Sequence, residues 1–290
     1  MIWLIGNKGM LGHDVELLLK QEKKPYLASD RDVDITRPDQ IKDFIRDTRI
    51  EYIINCAGYT AVDKAEEEKE KALQINGEAV KNLAGAALEK QAVLIHISTD
   101  YIFDGMKSEP YREEDEPKPL SLYGLSKLKG EEHVLNMLKR YYILRTAWLY
   151  GKNGRNFVFT MLNSLKTKDE IRVVDDQQGT PTYSKDLAAA ILVILRTPLL
   201  PYGIYHFTNE GETTWFGFTG EIYRQAVQMK MVDPPVTLRP VTTKEYPLPA
   251  RRPKYSVLSR DKIKKALNIR IREWKDALGD FLQTVKEDER

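Results

Sequence analysis

Through the first half of the chain, short apolar runs alternate with amphipathic stretches, and this spacing predicts alternating strands and helices. Residues 1–5 read as a strand, 10–21 as a helix, and 26–28 as a strand ending at Ser29-Asp30. A helix over 38–49 and a strand over 52–55 follow. A long helical pattern covers 71–90, then a strand over 92–97, a helix over 121–140 and a strand over 142–145. Strands that alternate with helices favour a parallel sheet, because each crossover lays a helix on one face or the other. The expected fold is therefore α/β, a Rossmann-type doubly wound parallel sheet with a smaller α/β substrate-binding domain.

After Gly151 the texture changes. Helical stretches near 157–166, 184–196, 215–229 and 274–286 are separated by Pro- and Gly-bearing connections such as 197–203 and 233–253. Residues 1–150, with returning segments within about 170–196, are expected to form a dinucleotide-binding domain. Residues 151–169 and 197–290 are assigned mainly to substrate binding. The short acidic runs Glu66–Glu68 and Glu113–Glu116 read as solvated faces or loops.

Composition narrows the function. The chain has 290 residues, 42% hydrophobic and 30% charged, with 45 Lys+Arg against 43 Asp+Glu. A formal charge of +2 lacks the basic footprint of a nucleic-acid binder. The single Cys56 excludes an internal disulfide framework, and four histidines supply little for a transition-metal cluster. No apolar run reaches the roughly 20 residues of a membrane span, and the opening residues lack a signal-peptide pattern. A cytoplasmic enzyme or binding protein is the expectation.

Gly6-Asn7-Lys8-Gly9-Met10-Leu11-Gly12 sits where the first strand passes into the first helix. Glycines there permit a tight turn and let backbone approach a pyrophosphate, which the free N–H groups and dipole of the helix N-terminus attract. The spacing is G-x-x-G-x-x-G, not the commoner G-x-G-x-x-G. Asp30, 18 positions after Gly12, ends the second strand where a carboxylate would bind an adenosine ribose. Arg31 beside it would instead pair with a 2′-phosphate, so NADH and NADPH both stay open. Asp34-Ile35 would border an adenine pocket, or simply form a turn. Asn55-Cys56-Ala57 closes the third strand with small side chains, where a dinucleotide can approach closely. Cys56 reads as a small hydrophobe.

Of the 15 tyrosines, only Tyr123 has a lysine four residues on, Lys127, which places both on one helix face. Hydride delivered to a carbonyl carbon leaves charge on oxygen, which then needs a proton donor. A neighbouring ammonium lowers a phenol's pKa, and the same lysine can hold a nicotinamide ribose. Ser98-Thr99, at the end of the fourth strand, supplies hydroxyls to orient the carbonyl oxygen.

These motifs, with Asn55–Ala57, Tyr59–Glu66, Asn76, Ser98–Gly105, Arg145–Trp148, Asn156-Phe157 and Asp176–Thr182, resemble the dTDP-4-dehydrorhamnose reductase family of extended short-chain dehydrogenase/reductases over almost the whole chain. The resemblance implies reduction of the C4 keto group of a dTDP-linked deoxysugar with NADPH or NADH. Thr99, Tyr123 and Lys127 then match the catalytic triad, with Tyr59, Asn76 and Ser98 on the cofactor side. Asp100, Tyr101, Trp148 and Asn156 match positions facing the sugar nucleotide. Some members carry a magnesium-linked dimer. Here Asp14 matches one carboxylate, but Lys185 stands where another belongs and Asp186 is one residue off, so no metal is expected and the chain is read as a monomer or weak homodimer. Related dehydratases carry Asp-Glu after the threonine, whereas this chain has Asp100-Tyr101. A 4-reductase/epimerase, and a non-catalytic module like the regulatory subunit of methionine adenosyltransferase, are the alternatives; the latter has no chemical need for the triad.

Isolated residues receive structural readings. His13, His96, His133 and His206 are expected to pack or face solvent, and Trp3 and Trp274 to sit in the core. Trp215 is left between a sugar-facing and a packing role. Arg251-Arg252-Pro253 is left between a diphosphate contact and a surface loop.

Overall fold

The computed structural model describes residues 1–288. The first half runs β1 (Ile2–Ile5), α1 (Met10–Gln21), β2 (Tyr26–Ser29), α2 (Pro38–Ile45) and β3 (Tyr52–Asn55). It continues through α3 (Lys69–Leu73), α4 (Ala79–Lys90), β4 (Val93–Thr99), α5 (Leu122–Met137) and β5 (Tyr141–Thr146). The second half adds β6 (Leu149–Tyr150), α6 (Phe157–Thr167), β7 (Glu170–Val174), β8 (Gln178–Gly179), β9 (Thr182–Tyr183) and α7 (Ser184–Arg196). After these come β10 (Gly203–His206), β11 (Thr213–Thr214), α8 (Trp215–Gln228), β12 (Thr237–Val241), α9 (Asp261–Leu267) and α10 (Trp274–Asp288).

Six strands form one parallel sheet in the order β10-β5-β4-β3-β1-β2. The order reverses between β1 and β3, and in such sheets ligands bind beyond the C-terminal strand ends at the reversal. β1, β3 and β4 are almost wholly buried, as strands covered on both faces must be, with polar residues towards the C-terminal ends of β3 and β4. One face is packed by α1, α7 and α9 through Val15, Leu19, Leu187, Ile191 and Ile263. The other is packed by α2, α4 and α5 through Ile41, Leu83, Ala87 and Val134. A separate core of Tyr150, Leu162, Phe218, Leu278 and Phe281 holds α6, α8 and α10 together. β10, from the stretch assigned mainly to substrate binding, completes the large sheet at its edge.

Three helices differ from expectation, the one expected over 121–140 ending at Met137. The helix expected over 38–49 stops at Ile45, because Ile50 turns back into the core ahead of β3. The pattern over 71–90 is interrupted by a π-helical turn, Gln74–Glu78. Its extra residue places Asn76 so that it hydrogen-bonds outside its own helix.

Candidate active site

The phosphate turn is built as its glycines require. Gly6 has φ +77°, and a Cβ on it would lie 2.9 Å from the Ala57 nitrogen. A Cβ on Gly12 would lie 2.1 Å from the Gly6 carbonyl oxygen, so no side chain fits. Gly9 begins α1 without a side-chain cap, and the first turn carries no acidic residue. The 12-residue helix therefore presents bare N–H groups beside Met10, Leu11 and Gly12. Asn7 donates to Glu16 at 3.0 Å, and Lys8 is exposed at the rim.

At the end of β2, the Asp30 backbone N–H donates to the Asp32 carboxylate, while Arg31 is exposed. The Asp34 carboxylate accepts from the Thr36 N–H and hydroxyl at 2.9 and 2.8 Å, and Ile35 is buried in the core. These two make a turn and its anchor. Asn55 bonds His96 at 3.1 Å and accepts from the Ala57 N–H at 3.1 Å, stiffening the end of β3. Burial pushes the Cys56 thiol up to about 12, as expected of a packed hydrophobe. Asn76 receives the Tyr59 N–H at 2.8 Å and donates to the Tyr59 carbonyl and the Ser126 hydroxyl, both at 2.9 Å. It ties the loop after β3 to α5.

The trio meets at the end of β4 and the start of α5. Ser121 caps α5 by accepting from Gly124 N–H at 3.1 Å, and Glu66 accepts the Leu122 N–H at 2.8 Å. Gly124 lets this turn approach the Tyr101 carbonyl, which a Cβ would meet at 2.2 Å. The Tyr123 ring consequently lies edge-on to Tyr101, centroids 5.5 Å apart at 77°. Thr99 donates to Asp100 at 3.0 Å and accepts the Tyr101 N–H at 3.2 Å, and its hydroxyl lies beside the Tyr123 phenol. Lys127, 5% exposed, donates to the Ile97 carbonyl at 2.6 Å.

One expectation is corrected. Lys127 does not pull the phenol down. Burial, offset by the Thr99 hydroxyl and reinforced by the Asp100 charge, pushes Tyr123 up to about 12. Burial lowers Lys127 to about 8, although Glu131 and Cys56 act the other way. The shared helix face is present, but the lysine head is turned to the strand carbonyl.

Other expected site residues also make contacts within the fold. Asn156 caps α6 by accepting Phe159 N–H at 3.1 Å and donates to Gly151 at 2.7 Å. Trp148, at φ +46°, stacks on Trp215 at 3.6 Å and fills a slot over Gly179, where a Cβ would sit 2.6 Å from the indole. Trp215 thus packs. Arg252 forks onto Asp63 at 3.0 and 2.8 Å and reaches Tyr101, tying a late loop to the one after β3. Two charged partners escaped the sequence reading. Glu131 and Arg145, 0% and 2% exposed, form a bidentate ion pair beneath Lys127. Glu113, read as a solvated loop residue, is buried and accepts the His206 N–H at 3.0 Å.

The chain is matched over residues 1–287 by the family described as RmlD substrate binding domain. It is 40% identical to the dTDP-4-dehydrorhamnose reductase of Aggregatibacter actinomycetemcomitans, over 96% of this chain and 97% of that protein. The chain belongs to the dTDP-4-dehydrorhamnose reductase family. Within this reductase family, the Clostridium acetobutylicum crystal structure superposes with a TM-score of 0.93 at 42% identity, covering 98% of this chain and 99% of that one. The Bacillus anthracis reductase, solved in complex with NADP, superposes with a TM-score of 0.91 at 38% identity over 98% of each chain.

The carboxylates that a metal-linked reductase dimer would use are engaged here. Asp14 accepts from the Ser184 hydroxyl, and Asp186 accepts from Asn209 at 2.7 Å and from Arg272 at 2.8 and 2.9 Å. These residues do not fit a magnesium site. Among the described residues no helix is long and apolar enough to cross a membrane.

Proposed function

We propose that this protein reduces the C4 ketone of a dTDP-linked 6-deoxysugar, dTDP-4-dehydrorhamnose, to the alcohol with NADPH or NADH, as its relatives' names state for them. The observation that carries this reading is the Thr99–Tyr123 hydroxyl pair at the mouth of the sheet, one helical turn from Lys127.

A dinucleotide fits the residues present. The uncapped α1 N-terminus and the Gly6–Gly12 turn would receive its pyrophosphate, and Asp30 or Arg31 its adenosine ribose. Ser98 Oγ, buried without a hydrogen-bond partner, is an orphan of the kind a ligand completes. The bound cofactor supplies a hydride. Everything else falls to the chain. Thr99 and Tyr123 orient the carbonyl oxygen, and Tyr123, protonated throughout the neutral range, gives its phenolic proton to the oxygen as charge develops there. Lys127 carries positive charge close to the strand end. Tyr101 and Trp148 are proposed to face the sugar.

Residues 1–150 with the returning part of 170–196 are proposed to hold the dinucleotide, and 151–169 with 197–290 mainly the sugar nucleotide. We place the protein in the cytoplasm, which its one unpaired thiol supports, as a monomer or weak homodimer.

The test is NADPH and NADH oxidation with a panel of 4-keto sugar nucleotides, followed by identification of the product. Turnover of the dTDP-linked ketone to dTDP-L-rhamnose is expected. No oxidation of either cofactor with any 4-keto sugar would overturn the reading, and inversion at C4 of a 4-hydroxy sugar nucleotide with no net consumption of cofactor would favour epimerisation.

A further inference from the structure

The Asp100 carboxylate is 1% exposed and lies at the centre of the candidate site. Its Oδ1 accepts the Thr99 hydroxyl at 3.0 Å, and its Oδ2 has no well-directed hydrogen bond, with the Ser256 hydroxyl beside it. Thr99 has one proton and two lone pairs. With the proton given to Asp100, one lone pair accepts the Tyr101 N–H and one is left over. The Thr99 oxygen therefore cannot donate to a carbonyl while Asp100 is ionised.

That matters because a ketone and an alcohol make opposite demands. A ketone oxygen only accepts, whereas an alcohol also donates. We propose that Asp100 is a positioning residue that sets the direction of the Thr99 proton: as a carboxylate it holds that proton, and once protonated it donates to Thr99 and frees Thr99 to donate to a bound carbonyl. The inference rests on the reading of Thr99 and Tyr123 as the groups that hold the C4 oxygen. The ionised state is matched to the alcohol, the protonated state to the ketone.

Burial raises Asp100 from the ordinary carboxylate range to about 6, which brings both states within reach. The other charged and titratable groups facing it are Tyr101 and Tyr123, both pushed upward by burial, and beyond Tyr101 the Asp63–Arg252 pair, in which the guanidinium keeps Asp63 ionised. None of these changes charge near pH 6.

The experiment measures binding without turnover, by calorimetry between pH 5 and 8. The ketone is titrated into enzyme with NADP+, and the alcohol dTDP-L-rhamnose into enzyme with NADPH. The ketone is expected to bind about two- to tenfold tighter below pH 6 than above it, and the alcohol to show the reverse. In Asp100→Leu both affinities should become independent of pH across that range, with Thr99 free to donate. Asp100→Asn, which is isosteric, should also be flat and guards against misfolding of the leucine variant. Wild-type affinities that do not change with pH, or a step near pH 6 that persists in both variants, would overturn the proposal while leaving the reductase reading intact. Failure of wild type to bind either sugar at any pH would sink both.

Discussion

The Lys127 ammonium donates to the Ile97 carbonyl at 2.6 Å, anchoring the helix that carries Tyr123 to the strand that ends in Thr99. The bond secures a cation that burial disfavours: Lys127 is pushed from 10.5 down to about 8.

An alkaline limit follows. If catalysis uses the charged lysine, kcat/KM should fall as pH rises through about 8, while a Lys127→Arg variant, weaker at neutral pH, should lack that inflection. The stability sign is opposite. A lysine whose folded pKa is depressed costs stability below about 8, and the cost fades as pH climbs towards 10.5. Lys127→Met should therefore be more stable than wild type at pH 7, with the advantage shrinking over that window in denaturant titrations.

Tyr123→Phe removes the proton donor and leaves the ring that packs on Tyr101. Turnover should drop roughly 100- to 10,000-fold, the range for loss of a general acid, with NADPH affinity little changed. Steady-state kinetics and fluorescence titration check both halves, and unchanged turnover would remove Tyr123 from its role.

The edge of the cofactor cleft makes a finer prediction. Arg31 is exposed beside Asp30 at the end of β2. Arg31→Ala should weaken NADPH relative to NADH if the guanidinium meets the 2′-phosphate, and Asp30→Ala should do the reverse. An unaltered NADPH/NADH preference in both variants would place the adenosine ribose elsewhere.

Gly12→Ala places a methyl 2.1 Å from the Gly6 carbonyl oxygen, backbone against backbone. The turn must move, at a cost of about 1–3 kcal/mol, and NADPH affinity should fall with it. Thermal unfolding with and without NADPH measures the two effects separately.

The buried pair beneath Lys127 gives a stability test. Glu131→Gln leaves Arg145 charged in the core and should cost about 3–5 kcal/mol. Replacing both, as Glu131→Leu with Arg145→Met, should cost far less than the sum of Glu131→Leu and Arg145→Met made singly, read from urea unfolding of wild type, the two single variants and the double.

Much of this was legible before any coordinates. The strand and helix alternation, the glycine turn and the Tyr123/Lys127 spacing are local signals, and the six-stranded parallel sheet follows from them. What escaped depends on contacts between distant segments. A helical period does not show that Glu131 will meet Arg145, or that Asp63 will meet Arg252 from 189 residues away. The capping of α6 by Asn156 also went unread, although its position just ahead of the Phe157 helix was the available signal. The expected lowering of the Tyr123 pKa failed because spacing places two side chains on one face but says nothing of burial or of a competing carbonyl.

The residues that wall this pocket come from segments far apart along the sequence. Arg252 ties to Asp63, Ser256 lies beside Asp100, and Leu258 bridges the backbone at Tyr111. Residues 1–250 therefore supply the six strands and the reactive tyrosine, and the segment after them supplies the enclosure. Competence for the sugar thus depends on residues 252–258 being docked against segments met much earlier in the chain.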